Sequence, residues 1–241
     1  MIRALGALWL ILMAAGPVWA VNCTDIDYAG ARYTACTVDV AQSDLRLVHQ
    51  DATGAVIGQF NRIADLPDVN RLIFAMNAGM YHDDRAPVGH LRINGDDKMR
   101  VITNAGPGNF GLLPNGVFCI NDTRVAIFET LAYAATAPDC RDATQSGPML
   151  VIDGALHPRF LVGSTSRFIR NGVGVSDDGA VATFVISNTA VTFHQFGSFF
   201  RDHLRLRNAL YFDGKVSRMF DAATGRSDFG FQLGPMVAVT E

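Results

Sequence analysis

Short apolar and alternating runs, separated by turn residues, dominate the chain from residue 33 onward. Alternation with a period of two is typical of strands that bury one face, and short continuous apolar runs are typical of strands buried on both faces. The pattern predicts strands at residues 33–40, 45–50, 55–60, 72–76, 88–93, 98–102, 116–120, 124–128, 149–152, 155–157, 167–175, 180–187 and 208–212.

Turn residues between these runs join them into hairpins. Asn94-Gly95 is the strongest signal, because both central residues of a type I′ turn need positive φ, which asparagine and glycine adopt at low cost. Further turns are predicted at residues 51–54, 121–122, 153–154 and 177–179, each between two runs of strand length. Consecutive hairpins produce a mostly antiparallel sheet.

Residues 191–206 depart from the strand pattern. Apolar residues recur there at spacings of three and four, from Phe193 to Leu204, with charged residues between them. This spacing predicts one amphipathic helix. Residues 61–69 have room for a short helical turn. The expected fold class is therefore α+β, a mostly antiparallel sheet with one or a few helices in a single domain.

The first 20 residues have the pattern of an export signal. Arg3 supplies a positive charge, residues 4–15 are almost entirely apolar, and Val18-Trp19-Ala20 matches the small-residue cleavage pattern. We expect cleavage after Ala20, which leaves residues 21–241 as the folded domain. Because the apolar run is shorter than the about 20 residues that span a membrane, we expect a periplasmic or secreted protein with no membrane anchor after cleavage.

Composition narrows the classes of function. The chain has 20 Lys and Arg residues against 23 Asp and Glu residues, a net charge of −3, and no basic cluster. Since affinity for a phosphate backbone requires a basic patch, nucleic acid is not an expected partner. Four cysteines in an exported chain are expected to form two disulfides. Of the three pairings, Cys23–Cys36 and Cys119–Cys140 close the shortest loops and are favoured.

Four glycine-containing segments lie at the ends of apolar runs and carry groups that form hydrogen bonds. Glycine permits close approach of the backbone to a ligand. Because one fold can bring several strand ends together, we expect these segments to form one composite pocket. They are residues 77–81, 145–148, 170–174 and 212–214.

Asp213 and Arg170 are the candidate catalytic residues. Asp213 follows a strand that is apolar on both faces and precedes Gly214, so its carboxylate is expected at a strand tip that opens to a site. Arg170 lies within an apolar segment, where a guanidinium is costly unless it is paired or binds an anion. Its planar fork suits a phosphate or a carboxylate. An internal ion pair with Asp213 is the alternative.

The other polar groups of these segments are candidates for contacts with sugar hydroxyls or phosphate oxygens. They are Asn77, Gly79, Gln145, Ser146, Gly214, and Asn109 of the glycine-rich loop 104–111. No metal site is assigned, because the cysteines lack metal-binding spacing and the histidines are scattered. No cofactor is predicted, and the carboxylates of Asp83, Asp84 and Asp213 leave a divalent metal open as an alternative.

The ordered set of segments resembles the phosphodiester glycosidase family over roughly residues 70 to 220. Residues 77–81 (NAGMY) resemble the family's Asn-Gly-Gly-Phe-Phe segment, and residues 170–174 (RNGVG) resemble its Arg-x-x-Ile/Val-Gly segment. Residues 208–214 (NALYFDG) resemble the start of its Ala-x-x-Leu-Asp-Gly-Gly-Gly-Ser segment. The chain departs from the family where Gly214-Lys215-Val216-Ser217 replaces the glycine run.

The resemblance implies an exported hydrolase that cleaves the glycosidic bond of a sugar-1-phosphodiester, with a carbohydrate or phosphoglycan as substrate. Arg170 would bind the phosphate, while Asp213 activates water or stabilises positive charge at the anomeric carbon. One carboxylate suffices chemically, because a departing phosphate monoester is a weak base that a cation can stabilise without a general acid. The alternative is a non-catalytic envelope protein that binds glycan or phosphoglycan in the same pocket.

Overall fold

The computed structural model describes residues 21–241, so the predicted signal segment 1–20 lies outside the described residues. The strands are β1 (Val21–Tyr28), β2 (Ala31–Asp39), β3 (Asp44–Val48), β4 (Leu72–Asn77), β5 (Leu91–Ile93), β6 (Asp96–Met99), β7 (Gly116–Ile120), β8 (Val125–Glu129), β9 (Asp142–Ser146), β10 (Met149–Ile152), β11 (Ala155–Leu156), β12 (Asn171–Val175), β13 (Val181–Ser187), β14 (Asn208–Asp213), β15 (Met219–Asp221), β16 (Arg226–Ser227) and β17 (Met236–Thr240). The helices are α1 (Phe60–Ile63), α2 (Thr130–Thr136) and α3 (Phe193–Ser198), with a 3-10 turn at Val40–Gln42 and a π-helical turn at Phe199–His203.

These strands form three sheets in which every strand pairing is antiparallel. The first sheet has the order β1-β2-β13-β12-β14-β10-β11. The second has the order β16-β15-β4-β17-β3, and the third has the order β6-β5-β9-β7-β8. The predicted class is therefore confirmed: an α+β domain of mostly antiparallel sheet with a few short helices.

The three sheets meet over one core. Phe184 of β13 and Phe212 of β14 come from the first sheet, Phe74 of β4 from the second and Phe118 of β7 from the third. The ring centroids of Phe74 and Phe184 lie 5.3 Å apart, and Phe118 lies 5.9 Å from Phe184 and 6.3 Å from Phe212. Because full burial of one such side chain contributes about 1.5–3 kcal/mol, this cluster holds the sheets together as a single domain.

The helix predicted at residues 191–206 is present in a shorter form, as α3 followed by the π-helical turn. Thr192 caps it, because its hydroxyl accepts a hydrogen bond from the N–H of Gln195, and the Gln195 side chain in turn accepts one from the backbone N–H of Thr192. The apolar side packs on the outer face of the first sheet, where the rings of Phe199 and Tyr33 stack 4.0 Å apart. The helical backbone ends before Arg205, whose φ is +59°.

The predicted turns are confirmed, but one of the strands predicted beside them is not. Asn94 and Gly95 have φ values of +51° and +82°, as a type I′ turn requires. The strand predicted at residues 55–60 is wrong: a single bridge joins Gln50 to Val56, and Gly58, at φ +65°, turns the chain into α1. The helix α1 confirms the helical turn expected just after that segment.

Pattern analysis did not predict β1, β9, α2 or the strands from β15 to β17. The strand β9 has the polar sequence Asp-Ala-Thr-Gln-Ser, yet all five residues are buried at the centre of the third sheet. Its polar side chains have partners within the fold. The carboxylate of Asp142, for example, accepts the N–H of Asn94 at 2.8 Å. Internal hydrogen bonds of this kind are not visible in a hydropathy pattern.

Both predicted disulfides are present. Cys23 and Cys36 face each other across the β1–β2 pair, and Cys119–Cys140 joins β7 to the segment before β9. No cysteine of residues 21–241 is free. In the same part of the chain, no helix is long and apolar enough to cross a membrane.

Removing the second disulfide tests its contribution to stability. The bond joins residues 21 positions apart, and closing a loop of this size restricts the unfolded chain by about 3 kcal/mol in the chain-entropy account. We expect the double variant Cys119→Ala, Cys140→Ala to lose roughly 2–4 kcal/mol of unfolding free energy, measured by denaturant unfolding without reductant. A variant with the midpoint of the wild type would contradict this expectation.

Candidate active site

A cleft of about 600 Å³ is lined by the segments that follow β4 and β14. The loop 107–110 and the segments before β12 and β17 complete its wall. Its polar lining residues are Tyr81, His82, Asp83, Arg85, Asn109, Tyr211, Asp213, Lys215 and Gln232. Three of the residues predicted from sequence therefore line it, namely Asp213, Gly214 and Asn109. Another cavity, of about 570 Å³, lies beside β8 and has none of the predicted residues in its wall.

Asp213 is the last residue of β14, and its partly exposed carboxylate belongs to the cleft wall. Its Oδ1 accepts hydrogen bonds from the backbone N–H of Gly214 at 2.5 Å and of Lys215 at 2.8 Å. Burial raises the pKa of the Asp213 carboxyl, and the N–H groups of Lys215 and Gly214 oppose part of that rise. A carboxylate with a raised pKa at a cleft is suited to accept a proton from water.

Two buried asparagines fix the backbone that carries Asp213. The Oδ1 of Asn171 accepts the N–H of Asp213 at 3.1 Å, and the Nδ2 of Asn171 donates to the backbone oxygen of Asn77 at 2.8 Å. The Oδ1 of Asn77 accepts the N–H of Arg218 at 2.8 Å. Both asparagine side chains are fully buried. Asn77 was predicted to contact the substrate, but it does not line the cleft. It instead positions the end of the strand from within the protein.

Arg170 lies behind the cleft wall, and only 1% of it is exposed. Its Nε donates to the backbone oxygen of Val191 at 2.9 Å, and its Nη2 to that of Ser166 at 3.2 Å. The guanidinium carbon lies 3.7 Å from the ring centroid of Phe193. Burial lowers the pKa of Arg170, and no carboxylate of residues 21–241 is in ion-pair contact with it.

The structure thus corrects the prediction for Arg170 in two ways. Arg170 and Asp213 do not form an ion pair. The guanidinium of Arg170 donates to backbone carbonyl oxygens instead of being open to a ligand. Its remaining contact leads to the cleft, because Nη1 lies 3.4 Å from the hydroxyl of Tyr211. Arg170 can therefore act on a bound anion only through its positive charge and through Tyr211.

Tyr211 connects Arg170 to the cleft and was not predicted from sequence. Its hydroxyl lies 3.4 Å from Nη1 of Arg170, and the side chain of Asn109 also interacts with it. Burial, together with the nearby charge of Asp213, raises the pKa of Tyr211, while Arg170 opposes the rise. The hydroxyl consequently keeps its proton at neutral pH and can donate it to an anionic oxygen. In the sequence this tyrosine belongs to an apolar strand, which indicates core packing.

Cationic groups lie at the cleft beside the carboxylates of Asp83 and Asp213. Arg85 and Lys215 line it, and the buried Arg218 donates to the backbone oxygen of Phe231 in its wall. Within residues 21–241, neither Arg85 nor Arg218 has an ion-pair partner, and the Nε of each is buried without a hydrogen-bond partner. Buried or partly buried cationic groups without carboxylate partners favour an anionic ligand.

The pKa of a second tyrosine of the cleft is shifted as well. Burial and the charge of Asp213 raise the pKa of Tyr81 to about 12, although Arg85 and Arg218 oppose the rise. Arg85 also lies over the Tyr81 ring, 5.6 Å from its centroid. The cleft therefore offers two protonated hydroxyl groups, those of Tyr81 and Tyr211, beside its cationic groups.

The remaining predicted substrate contacts lie behind the cleft. The amide of Gln145 is buried and exchanges hydrogen bonds with the backbone of Ile102, at 3.0 Å and 2.7 Å. The hydroxyl of Ser146 donates to the backbone oxygen of Phe212 at 2.9 Å. At Gly79, a Cβ would lie 2.6 Å from the backbone oxygen of Gln145. These groups join neighbouring strands and loops, and none of them lines the cleft.

Carboxylates that would suit a divalent metal are dispersed. Asp83 and Asp213 both line the cleft, whereas Asp84 does not, and its Oδ1 accepts the N–H of Ala86 at 2.9 Å. Across residues 21–241, no three His, Cys, Asp or Glu side chains lie close enough to hold a metal ion.

Residues 70–232 match the family model of the phosphodiester glycosidases. The chain belongs to the phosphodiester glycosidase family. The match includes Asn77, Arg170 and Asp213, so it covers the cleft and the residues behind it. Among curated proteins, the uncharacterized protein YigE of Escherichia coli strain K12 is 33% identical over 207 residues, which cover 85% of this chain and 81% of that protein.

Solved structures share the fold of this phosphodiester glycosidase family member. The zebrafish N-acetylglucosamine-1-phosphodiester alpha-N-acetylglucosaminidase catalytic domain, auto-inhibited by its pro-peptide, is similar with a TM-score of 0.64 and 14% identity, over 92% of this chain and 82% of that chain. A hypothetical protein from Synechocystis is similar with a TM-score of 0.60 and 14% identity, over 90% of this chain and 61% of that chain.

Gly214 offers a test of how tightly the cleft wall is packed. A Cβ at this position would lie 2.2 Å from the hydroxyl of the buried Tyr211. We expect Gly214→Ala to lower the unfolding free energy by about 1–3 kcal/mol, as overpacking does, measured by denaturant unfolding. Gly163→Ala is the matched control, because a Cβ there meets nothing within 4 Å. Equal stability of both variants would show that Tyr211 moves freely.

Proposed function

We propose that this protein is an exported hydrolase that cleaves the glycosidic bond of a sugar-1-phosphodiester, with a carbohydrate or phosphoglycan as substrate. One observation carries the proposal: the carboxylate of Asp213 shares a cleft with cationic groups that have no ion-pair partner among the described residues. The cleft thereby provides a base for water and cationic groups for a phosphate. Family membership and the fold shared with the zebrafish catalytic domain support the same class of reaction.

The proposed reaction is a hydrolysis at the anomeric carbon. The water oxygen bonds to that carbon while the bond to the phosphate oxygen breaks, and the electron pair of that bond stays on the phosphate. Asp213 accepts the proton of the water, and its negative charge also stabilises the positive charge that develops on the sugar. The phosphate monoester leaves without a general acid, because cations in the cleft stabilise its charge.

Each group around the cleft then has a part in holding the phosphate. Arg85 and Lys215 line the cleft and supply positive charge directly. The Tyr211 hydroxyl donates a hydrogen bond to a phosphate oxygen, with Arg170 behind it and Asn109 beside it. Arg170 is in this scheme a positioning residue, which orients Tyr211 and adds positive potential from a site closed to solvent.

The export part of the proposal rests on separate observations. Two disulfides are present in the fold, and such bonds persist in oxidising compartments outside the cytoplasm. The pattern of residues 1–20 agrees with secretion. A periplasmic or secreted location would place the cleft among cell-envelope glycans and phosphoglycans.

Replacing Asp213 tests the chemical step. Asp213→Asn keeps an oxygen for the N–H groups of Gly214 and Lys215 but cannot accept a proton from water. We expect kcat for a synthetic sugar-1-phosphodiester to fall by about 10²–10⁴-fold, the range of general acid–base catalysis. Asp83→Asn is the matched control, because Asp83 is an exposed carboxylate of the same cleft; its kcat should change little.

The pH dependence of wild-type activity provides a second measurement on Asp213. Because burial raises the pKa of Asp213, kcat/KM of the wild type should decrease toward acid pH. The midpoint of this decrease should lie above the ordinary pKa of aspartate.

The raised pKa of Asp213 also affects the stability of the fold. The folded state binds the proton of this carboxyl more tightly than the unfolded state, so ionised Asp213 destabilises the fold at neutral pH. Asp213→Asn should therefore be at least as stable as the wild type at neutral pH. A clearly less stable variant would mean a structural role.

Labelled water identifies the bond that breaks. Cleavage at the anomeric carbon places the heavy oxygen of the water in the sugar, whereas a phosphodiesterase would place it in the phosphate. Heavy oxygen in the phosphate would contradict the proposed reaction. Binding of the phosphodiester without turnover at any pH would instead identify a non-catalytic binding protein.

Tyr211→Phe tests the proposed hydrogen bond to phosphate. The phenylalanine fills the same space, so the fold should persist while the donor is lost. A hydrogen bond to a charged group is worth about 1.5–3 kcal/mol, so we expect kcat/KM to fall roughly 10- to 150-fold. Tyr33→Phe is the control, because Tyr33 is equally buried but stacks on Phe199 outside the cleft. Unchanged kcat/KM in Tyr211→Phe would remove Tyr211 from the site.

A further inference from the structure

Exposed large apolar side chains are concentrated in two segments beside the cleft. Of the seven such residues in the described part of the chain, six belong to segments 161–169 and 229–231, and the seventh is Leu131 on α2. The six are Leu161, Val162, Phe168, Ile169, Phe229 and Phe231. Scattered exposed apolar residues are ordinary on a protein surface, whereas a concentration of them marks an interaction site.

Both segments border the cleft. Phe168 comes from the first segment and Phe231 from the second, and each lines the cleft wall. The backbone oxygen of Ile169 also accepts a hydrogen bond from the hydroxyl of Ser217, at 3.0 Å, just beyond the cleft residues that follow Asp213. Each apolar segment therefore contributes one phenylalanine to the wall of the same cleft.

The first segment is held from beneath, so its apolar tip is fixed in an outward position. The ring of Phe160 stacks on His157 at 4.9 Å and on Phe193 at 5.1 Å between ring centroids. Farther along, Arg170 binds the backbone oxygen of Ser166. The tip between these two anchors is the pair Leu161 and Val162, exposed to 70% and 80%.

The second segment is held in a similar way. Its backbone oxygens at Gly230 and Phe231 accept hydrogen bonds from the side chains of Gln59 and Arg218, respectively. Asp228, at its start, is paired with Arg226 at 2.9 Å. Between these anchors the side chain of Phe229 points into solvent and is 97% exposed. A phenylalanine fixed in this position has no packing partner within the described residues.

The charges beside the first tip are positive, whereas Asp228 beside the second tip is paired with Arg226. The segment 158–169 contains Arg159 and Arg167, both exposed, and no acidic residue. Lys215, at the cleft, is exposed as well. Apolar side chains that project beside Lys and Arg residues suit the surface of a bilayer with anionic headgroups, where the apolar groups enter the acyl boundary and the cations contact phosphates.

We propose that the tips Leu161–Val162 and Phe229–Phe231 dock on the surface of an anionic lipid bilayer. Docking in this orientation brings the entrance of the cleft to the level of the headgroups. Together with the proposed function, on which this step depends, such docking implies a substrate class, namely a sugar phosphodiester whose other substituent is a lipid.

Co-sedimentation with lipid vesicles tests the docking surface. The exported full chain is mixed with vesicles of phosphatidylglycerol and phosphatidylethanolamine, and separately with vesicles of phosphatidylcholine alone. Its N-terminus is determined by mass spectrometry, because an uncleaved segment 1–20 would itself bind lipid, and all variants are compared with the same N-terminus. We expect the wild type to bind the anionic vesicles at low salt and to bind the phosphatidylcholine vesicles more weakly.

The decisive variant is the triple substitution Leu161→Ser, Val162→Ser, Phe229→Ser, none of which lines the cleft. Since each buried methylene contributes about 0.8 kcal/mol to membrane binding, the vesicle partition coefficient should fall by more than about tenfold. Arg159→Gln should reduce binding to anionic vesicles by roughly fivefold, the effect of one basic residue near such a surface. Leu131→Ser is the matched control and should bind as the wild type does.

Several results would overturn the proposal. One is absence of vesicle binding at low salt, and another is an equal loss of binding in Leu131→Ser. A third is a wild-type dimer that the triple variant converts to a monomer, since a second copy would then be the occupant of the apolar tips. Loss of hydrolysis of a water-soluble phosphodiester in the triple variant would instead assign the tips to glycan binding.

The docking surface and the proposed function fail in different ways. Vesicle binding without hydrolysis of any sugar phosphodiester would reject the hydrolase proposal and leave the docking surface standing. Hydrolysis of a soluble phosphodiester without vesicle binding would reject the docking surface alone.

Discussion

The hydrogen-bonded pair of Asn77 and Asn171 is the interaction on which the cleft depends. Asn77 ends β4 of the second sheet and Asn171 begins β12 of the first, so their amides connect two sheets at the point where both approach the site. A register shift next to Asn171 places it opposite Asp213. Because a buried amide left without a partner costs about 1–3 kcal/mol, each asparagine fixes the position of the other, and Asp213 inherits that position.

Two buried arginines extend this framework to the rim of the cleft. Arg170 binds the backbone of the segment that carries Leu161, and Arg218 binds the backbone of the segment that carries Phe231. Neither has a carboxylate in ion-pair contact within residues 21–241. Burial of an uncompensated charge opposes folding. These two arginines therefore lower the stability of the fold while they add positive potential at the cleft. The same side chains brace the rim and set its electrostatics.

Local patterns in the sequence identify a large part of this molecule. The turn at Asn94-Gly95, the disulfides and the position of Asp213 at a strand end all follow from spacing and residue type. The environment of Arg170 does not, because an arginine in an apolar segment is compatible with an open anion site and with a closed pocket of carbonyls. Only the loop residue Ser166 and the first residue of α3, Phe193, which both contact its guanidinium, decide between the two. Likewise, the burial of β9 depends on hydrogen bonds to segments distant in sequence.

The strand β17 has a consequence for the order in which the cleft can form. It lies between β4 and β3, and the other neighbour of β4 is β15, so both partners of the strand that leads to Asn77 come from residues 219–240. Contacts of such wide sequence separation slow folding. During synthesis, β4 has unpaired backbone edges until residues 219–240 have emerged, and such edges favour aggregation of incomplete chains. The cleft can therefore assemble only after residues 219–240 have been synthesised.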